Sequence, residues 1–178
     1  MTSLVDRLAA YAEHHRDRRN IATHFVGIPM ILVGTQALLA RVGIGPINAA
    51  VGATGLATRY YRKLDPGYGN AMAGFLGATC AAGTAIAALP FPLFAGTTTG
   101  LLAGGWALQL LGHRFEGKKP AFLEDLRSLL DGPLFLIAEI AFVLGLSPEL
   151  RDEIERRAGP TRWGKIVEAA EHAATATA

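Results

Sequence analysis

The sequence is short of cysteine, serine and net charge, and each shortage excludes a class of protein. The single cysteine, Cys80, can form no disulfide within the chain and cannot build a cysteine-rich zinc site. The three serines stand in no nucleophile-elbow motif, and no phosphate-binding loop is present. A net charge of only +2 predicts that nucleic acid is not a partner.

Charged residues are also scarce in the middle of the chain. Only five of the 32 lie between residues 20 and 113. The uncharged runs there are residues 20–40, 42–58 and 66–113. Because a membrane-spanning helix needs about 20 mostly apolar residues, the first run can hold one span, the second only just one, and the third two. Pro90 and Pro92 mark the turn inside the third run.

This pattern predicts an all-α fold, an integral membrane bundle of about four helical spans. The predicted spans are residues 21–40, 45–61, 69–88 and 93–112. A short amphipathic helix at residues 2–14 precedes them. The first 20 residues lack the apolar core of a cleavable signal peptide, so we expect the apolar segments to belong to the mature protein. In this prediction residues 1–146 form the membrane-embedded domain.

A shorter apolar stretch and a charged segment follow the fourth predicted span. Residues 133–146 contain Glu139 and number only 14, which predicts an interfacial or re-entrant helix packed on the bundle. Ser147 and Pro148 predict the N-cap and first position of a polar C-terminal helix. Residues 147–178 make up this segment, and we expect its tail at 173–178 to be frayed.

The basic residues predict the orientation of the bundle. Eleven of those near the predicted spans fall on one side, and the turns of the other side hold only Arg41. By the positive-inside rule both termini are cytoplasmic, and we expect an integral protein of a bacterial inner membrane. Gly100 and Gly104 form a GxxxG pattern, which indicates ordinary close helix packing. Homo-oligomerisation stays open.

Three of the five histidines converge in this topology. His15 and His24 flank the inner end of the first span, and His113 lies at the inner end of the fourth. Imidazole is a common ligand of transition metals, so the trio predicts a metal site at the membrane boundary. The alternative is that these are ordinary interfacial histidines, which keep the helix ends in contact with water and bind no metal. His14 lies on another helix face, and His172 lies in the tail.

A chain break between His15 and His24 is required for this site. Nine residues correspond to about 900° of helix rotation, so on one continuous helix the two rings would face opposite ways. Asp17 or Asn20 can cap the helix that carries His24.

Several polar residues stand near the predicted site. Glu116 lies one turn after His113, and Gln109 lies one turn before it, where its amide can support a ligating imidazole. Glu139 is the ionisable residue of an apolar segment, which predicts a functional role or, alternatively, a salt bridge to a basic residue. Asp65 is better explained as the cap of a turn with Pro66.

The residues also form recognisable blocks. The first is Tyr11-x-x-x-His15-Arg16-Asp17-x-Arg19-Asn20-x-x-x-His24-Phe25-x-Gly27-x-Pro29, followed by Tyr61 with Leu64-Asp65. The second is Trp106-x-Leu108-Gln109-x-x-Gly112-His113-x-Phe115-Glu116-Gly117-Lys118-Lys119-Pro120-Ala121, followed by Pro133-Leu134-Phe135 with Glu139. Over residues 4–146 the chain resembles the small membrane family of 2-hydroxy fatty acid dioxygenases. Arg18 stands where we expect proline in many relatives.

The resemblance implies an Fe(II)-dependent membrane enzyme that uses O2 to shorten a long-chain 2-hydroxy fatty acid by one carbon. It implies iron held by His15, His24 and His113, with Glu116 or Glu139 as a possible further ligand. We expect Glu116, Glu139 and Asn20 to serve catalysis. The basic residues that could bind the fatty carboxylate while the acyl chain lies between the spans are Arg16, Arg114, Lys118 and Lys119. Their alternative role is contact with anionic lipid head groups.

Two other functions stay open at this stage. A haem protein with histidine ligands would also place histidines at a membrane boundary. A membrane scaffold or carrier without activity would account for the glycine-rich spans and the basic loops, but not for the recurring histidine pattern.

Overall fold

The computed structural model describes residues 3–44, 47–120, 123 and 125–163. The described chain is all-α apart from one short hairpin, which confirms the predicted class. The helices are α1 (Leu4–Ala12), α2 (Arg18–Ala40), α3 (Ala49–Leu64), α4 (Pro66–Ala87), α5 (Phe91–Glu116), α6 (Ser128–Val143) and α7 (Pro148–Ala158). Strands β1 (Gly43–Ile44) and β2 (Ile47–Asn48) pair antiparallel between α2 and α3, and the sequence analysis missed them.

Helix α2 lies at the centre of the bundle. It packs along α5 on one side and α4 on the other, and α3 packs on α4. Glycines allow the closest approach: a Cβ at Gly27 would lie 2.9 Å from the Gly105 carbonyl oxygen, and a Cβ at Gly105 would lie 2.9 Å from that of Gly27. Small residues therefore set the α2–α5 spacing. Gly100 of the predicted GxxxG pair is not part of this contact, because a Cβ added there would meet no described atom within 4 Å.

Helices α1, α6 and α7 cover one end of the bundle. Helix α1 packs against both α6 and α7, and its Arg7 guanidinium donates to the Asp131 carboxylate of α6 at 2.8 Å. The hydroxyl of Tyr61 on α3 donates to the Leu130 carbonyl at 2.7 Å. A buried apolar cluster that includes Leu8 and Phe135 fills the space beneath this end. Apolar burial of this kind is the main favourable term in holding such helices together.

One of the two predicted helix caps is confirmed in full. The Asp17 carboxylate accepts from the Arg19 amide at 2.9 Å, so α2 begins after a break as predicted. Asp65, which was predicted to cap a turn, instead caps α4, where its carboxylate accepts from the Tyr68 amide at 2.8 Å. Pro148 opens α7 as expected, but the Ser147 side chain makes no cap hydrogen bond.

The structure corrects the predicted number of membrane spans. Two described helices, α2 and α4, are long and apolar enough to cross a membrane, and α6 with α7 would add a third if this pair, bent by 119°, is one broken span. The prediction of four spans was therefore too high. Helix α3 has only 16 residues. Helix α5 has 26 residues, but three consecutive threonines, 97–99, lower its apolarity.

The predicted C-terminal features are only partly within the described chain. The interfacial segment expected at 133–146 is α6, which starts earlier, at Ser128, and ends at Val143. The tail at 173–178 and His172 lie outside the described residues.

Helix α5 packs antiparallel along α2, so the two ends of α5 lie level with the two ends of that candidate span, although α5 itself is less apolar. At the end away from α1, the Arg41 guanidinium donates to the Leu89 carbonyl at 2.6 Å and lies over the Phe94 ring.

We expect single cysteines at Lys63 and Lys119, in a Cys80→Ala background, to react with an impermeant thiol reagent from the same side of sealed vesicles. A cysteine at Phe91 should react from the opposite side. Labelling of Lys63 and Lys119 from opposite faces would contradict this topology.

Candidate metal centre

Three buried histidines come together at the end of the bundle that α1 covers. They are His15, His24 and His113, the trio selected from the sequence, and one nitrogen of each lies within 4.8 Å of the others. No other group of histidine, cysteine and carboxylate side chains in the described part of the chain has this arrangement. We call these three residues the histidine cluster.

Three different chain segments supply the histidine cluster. His15 lies in the turn after α1, where its ring stacks on Tyr11 with centroids 4.0 Å apart and planes 6° apart. His24 lies on the second turn of α2, and His113 lies one turn before the end of α5. The three rings stand edge to face, with interplanar angles of 72° to 82°.

Two backbone carbonyls determine which imidazole nitrogens face each other. His15 Nδ1 lies 2.7 Å from the Tyr11 carbonyl oxygen, and His24 Nδ1 lies 2.9 Å from that of Asn20. A carbonyl can only accept, so each Nδ1 carries the hydrogen and each neutral ring presents the lone pair of Nε2. The two Nε2 atoms are 3.1 Å apart.

Two Nε2 lone pairs that face each other at this distance suit a cation bound between the two rings. Metal–imidazole bonds of about 2.1 Å, at angles of about 90° to 110°, place two ligand nitrogens about 3.0 to 3.4 Å apart. A backbone carbonyl behind each ligating imidazole is also the usual support of a metal site. Burial lowers the pKa of His15 well below its ordinary value, and the neighbouring His24 lowers it further, so the ring stays neutral at pH 7.

Glu116 holds the cluster together without belonging to it. Its Oε2 accepts from the backbone amides of Arg16 at 3.0 Å and Asp17 at 2.8 Å. The Asn20 side-chain amide donates to the same oxygen at 3.2 Å. The last residue of α5 is thus bound to the turn that carries His15 and to the start of the helix that carries His24. This contact positions the histidine cluster, and the Asn20 side chain contributes to it.

Glu139 and Arg16 lie on another side of the turn. The Arg16 guanidinium is 3.7 Å from the Glu139 carboxylate, which agrees with the salt bridge weighed as the alternative for Glu139. Neither carboxylate that the sequence offered as a further ligand is part of the histidine cluster.

The other proposed carboxylate binders do not face the cluster. Arg114, Lys118 and Lys119 are exposed, and the Lys118 ammonium donates to the Glu13 carbonyl at 2.7 Å. None of them borders the cavity described next.

An apolar cleft of about 290 Å³ opens beside the histidine cluster, with His24 and His113 in its wall. We call it the histidine cleft. One wall is the face of α2 formed by Ile28, Ile31, Leu32 and Thr35, and the sequence analysis missed it. The spacing of residues 24, 28, 31 and 35 is the signal that could have found it, since these positions share one helix face.

Three buried polar atoms of residues that line the histidine cleft have no hydrogen-bond partner among the described residues. They are Gln109 Nε2, Ser128 Oγ and His113 Nδ1. A buried polar atom without a partner is costly, so these atoms indicate a polar ligand at this end of the cleft. Gln109 was expected to support His113, but its side-chain amide nitrogen lies beside Gly27 of α2 and makes no hydrogen bond with the described residues.

Together these features define a membrane-associated helical protein with a buried three-histidine cluster at the polar end of an apolar cleft. The chain belongs to the Mpo1-like family: the family model described as "2-hydroxy-palmitic acid dioxygenase Mpo1-like" matches residues 1–144. It is also similar to the 2-hydroxy-palmitic acid dioxygenase MPO1 of Saccharomyces cerevisiae. The two are 29% identical over 165 residues, which cover 87% of this chain and 89% of the yeast protein. No solved structure gives a significant match.

Gly112 provides a test of the packing around the cluster. A Cβ there would overlap the side-chain oxygens of Asn20 and Thr23 and would lie 3.2 Å from His24 Cε1. We expect Gly112→Ala to displace the α2 turn that holds His24 and to weaken metal binding about 10-fold to 100-fold. Chelator competition on the detergent-purified protein measures this. Gly100→Ala on the same helix, where an added methyl meets nothing, is the matched control and should bind metal normally.

Proposed function

We propose that this protein is an Fe(II)-dependent dioxygenase that shortens long-chain 2-hydroxy fatty acids by one carbon. The observation that carries the proposal is the 3.1 Å approach of two imidazole Nε2 atoms at the polar end of an apolar cleft. The family membership and the name of the yeast relative support the choice of substrate class.

The donor set fits a transition metal. Three imidazoles suit iron, zinc, copper or nickel, and the relative named as a dioxygenase favours iron because dioxygen chemistry needs a redox metal. His15, His24 and His113 would hold the ion. Iron(II) bound there would supply O2 activation, with coordination positions left for the substrate.

The chain's own residues would orient the substrate. The alkyl chain would lie against the α2 wall of the histidine cleft, and Leu129, which is about half exposed, stands where longer chains can pass toward lipid. The Ser128 hydroxyl and the Gln109 amide would donate to the carboxylate or the 2-hydroxyl oxygen. The substrate's polar end would then lie beside the cluster and its apolar end away from it.

The proposed reaction balances without a further reductant. A 2-hydroxy acid and one O2 would give the fatty acid with one carbon fewer, one CO2 and one water. The Glu116 contact keeps the turn with His15 against α5 during this reaction. We place the site at the cytoplasmic face of the membrane, because the basic residues of the chain concentrate at that end of the bundle.

Single replacements of the cluster histidines test the metal site. We expect His15→Ala, His24→Ala and His113→Ala each to lose most bound iron and to lower turnover by more than about 100-fold, since ligand loss should exceed the effect of losing a supporting partner. Iron is measured per chain, and the CO2 and shortened acid are measured from a labelled 2-hydroxy acid.

His14→Ala is the matched control, because His14 is adjacent in sequence but outside the cluster. It should keep iron and turnover. Full iron and activity in all three cluster variants would show that the ligand assignment is wrong. A Soret band in the absorption spectrum would instead support the haem alternative.

Filling the cleft tests the position of the acyl chain. We expect Thr35→Trp to shift the preferred substrate to shorter 2-hydroxy acids, because the indole would occupy the far end of the α2 wall while leaving the histidine cluster intact. Turnover across a series of chain lengths measures the shift. Thr97→Trp, the same change at an exposed position of α5, should leave the preference as it is. An unchanged substrate preference in Thr35→Trp would show that the acyl chain of the substrate lies elsewhere.

A further inference from the structure

A second cavity lies beside the α1–α2 turn and shares no lining residue with the histidine cleft. Its volume is about 360 Å³, and α2, α6, α7 and the segment after α7 form it. We call it the arginine cavity, because Arg16, Arg18 and Arg151 line it. The two cavities lie on different faces of α2: Ile21 and Phe25 face the arginine cavity, whereas His24 and Ile28 face the histidine cleft.

The polar half of the arginine cavity carries an excess of positive charge. Three arginines face two glutamates, and Arg151 is paired with Glu155 at 3.0 Å. The salt bridge between Arg16 and Glu139 spans 3.7 Å, which is too long for a hydrogen bond. Arg18 is not paired with a carboxylate in the described chain and lies over the Trp163 ring.

Arg16 is the unusual residue of this cavity. It is 4% exposed, and within the described part of the chain its Nη2 has no hydrogen-bond partner. The rest of the guanidinium is held firmly: Nε donates to the Ala12 carbonyl at 2.9 Å, and Nη1 donates to the Gly159 carbonyl at 3.0 Å. A buried guanidinium nitrogen that makes no hydrogen bond, and whose salt-bridge partner is 3.7 Å away, keeps donors that suit an anion.

The other half of the cavity is apolar. Ile21, Phe25, Phe142 and Ile154 line it, and Val143 at its edge is 86% exposed. Its neighbours Leu144 and Leu146 are also largely exposed, which continues the apolar surface beyond the cavity. An anionic group at Arg16 would therefore have room for an attached alkyl chain that leaves along the end of α6.

We propose that the arginine cavity is a second binding site, for an anionic amphiphile with its carboxylate or phosphate head on Arg16 and its chain along the end of α6. The site needs neither metal nor turnover, so it stands independently of the proposed dioxygenase activity. Its occupant would also contact the turn that carries His15, because Arg16 follows that ligand directly.

The test uses photolabelling of the full chain. The protein is placed in nanodiscs of phosphatidylcholine, and a non-hydroxylated 16-carbon fatty acid with a diazirine on its chain is added and photolysed. We expect saturable labels on Phe25, Phe142 or Val143, located by mass spectrometry. Excess unlabelled palmitate should remove them. Labels confined to the histidine cleft, or none that saturate, would overturn the proposal.

Two variants examine the head and the chain separately. Arg16→Gln should weaken labelling at the arginine cavity by about tenfold or more, through loss of a charge-assisted hydrogen bond. Val143→Glu should do the same by placing a carboxylate at the exposed edge. Because Val143 is exposed, this variant keeps the test valid if Arg16→Gln fails to fold.

Leu126→Glu is the matched control, since it adds the same charge at an exposed apolar position that lies outside the cavity lining and away from the end of α6. It should label normally. Labelling unchanged in Val143→Glu, or equally weakened in Leu126→Glu, would overturn the proposed position. Nanodiscs that contain phosphatidylglycerol distinguish the source: loss of fatty acid labelling identifies a phospholipid head group as the occupant, and retained labelling identifies a free fatty acid.

Discussion

The contact on which the site depends is the buried Glu116 carboxylate at the end of α5. It accepts from two successive backbone amides and from the Asn20 side chain. The two backbone amides belong to the turn between α1 and α2, which would otherwise leave them unpaired in a buried place. One carboxylate thus satisfies the turn and fixes three histidines from three segments near one another. Charge-assisted bonds of this kind are among the stronger ones in proteins.

Helix α2 positions the remaining parts of the site and lines both cavities. Its close packing on α5 through Gly27 and Gly105 brings His24 and His113 to the same depth. Two of its faces then line two cavities of different character. The histidine cleft has a polar end with histidine nitrogens, and the arginine cavity has a cationic end and an apolar mouth. A single helix can serve both because residues one position apart differ by about 100° in direction.

Much of the fold followed from local patterns, and the errors have physical causes. The break after His15, the Asp17 cap and the start of α7 at Pro148 were readable because caps act over a few residues. The number of membrane spans could not be determined in this way, because an uncharged run shows only which residues can enter lipid and not how many helices cross it. Helix α3 proved too short, since its residues begin at Ala49, and threonines lower the apolarity of α5.

The sequence by itself determined the helical class, the membrane character and the three histidines that meet, because residue type, spacing and charge distribution carry that information. Only the tertiary structure decided what the carboxylates do. Glu116 became a positioning residue and Glu139 a partner of Arg16, according to which donors folding placed beside them. The position of the Arg16 guanidinium likewise depends on contacts with Gly159, 143 residues away along the chain. Such long-range contacts leave no periodic signal in a single sequence.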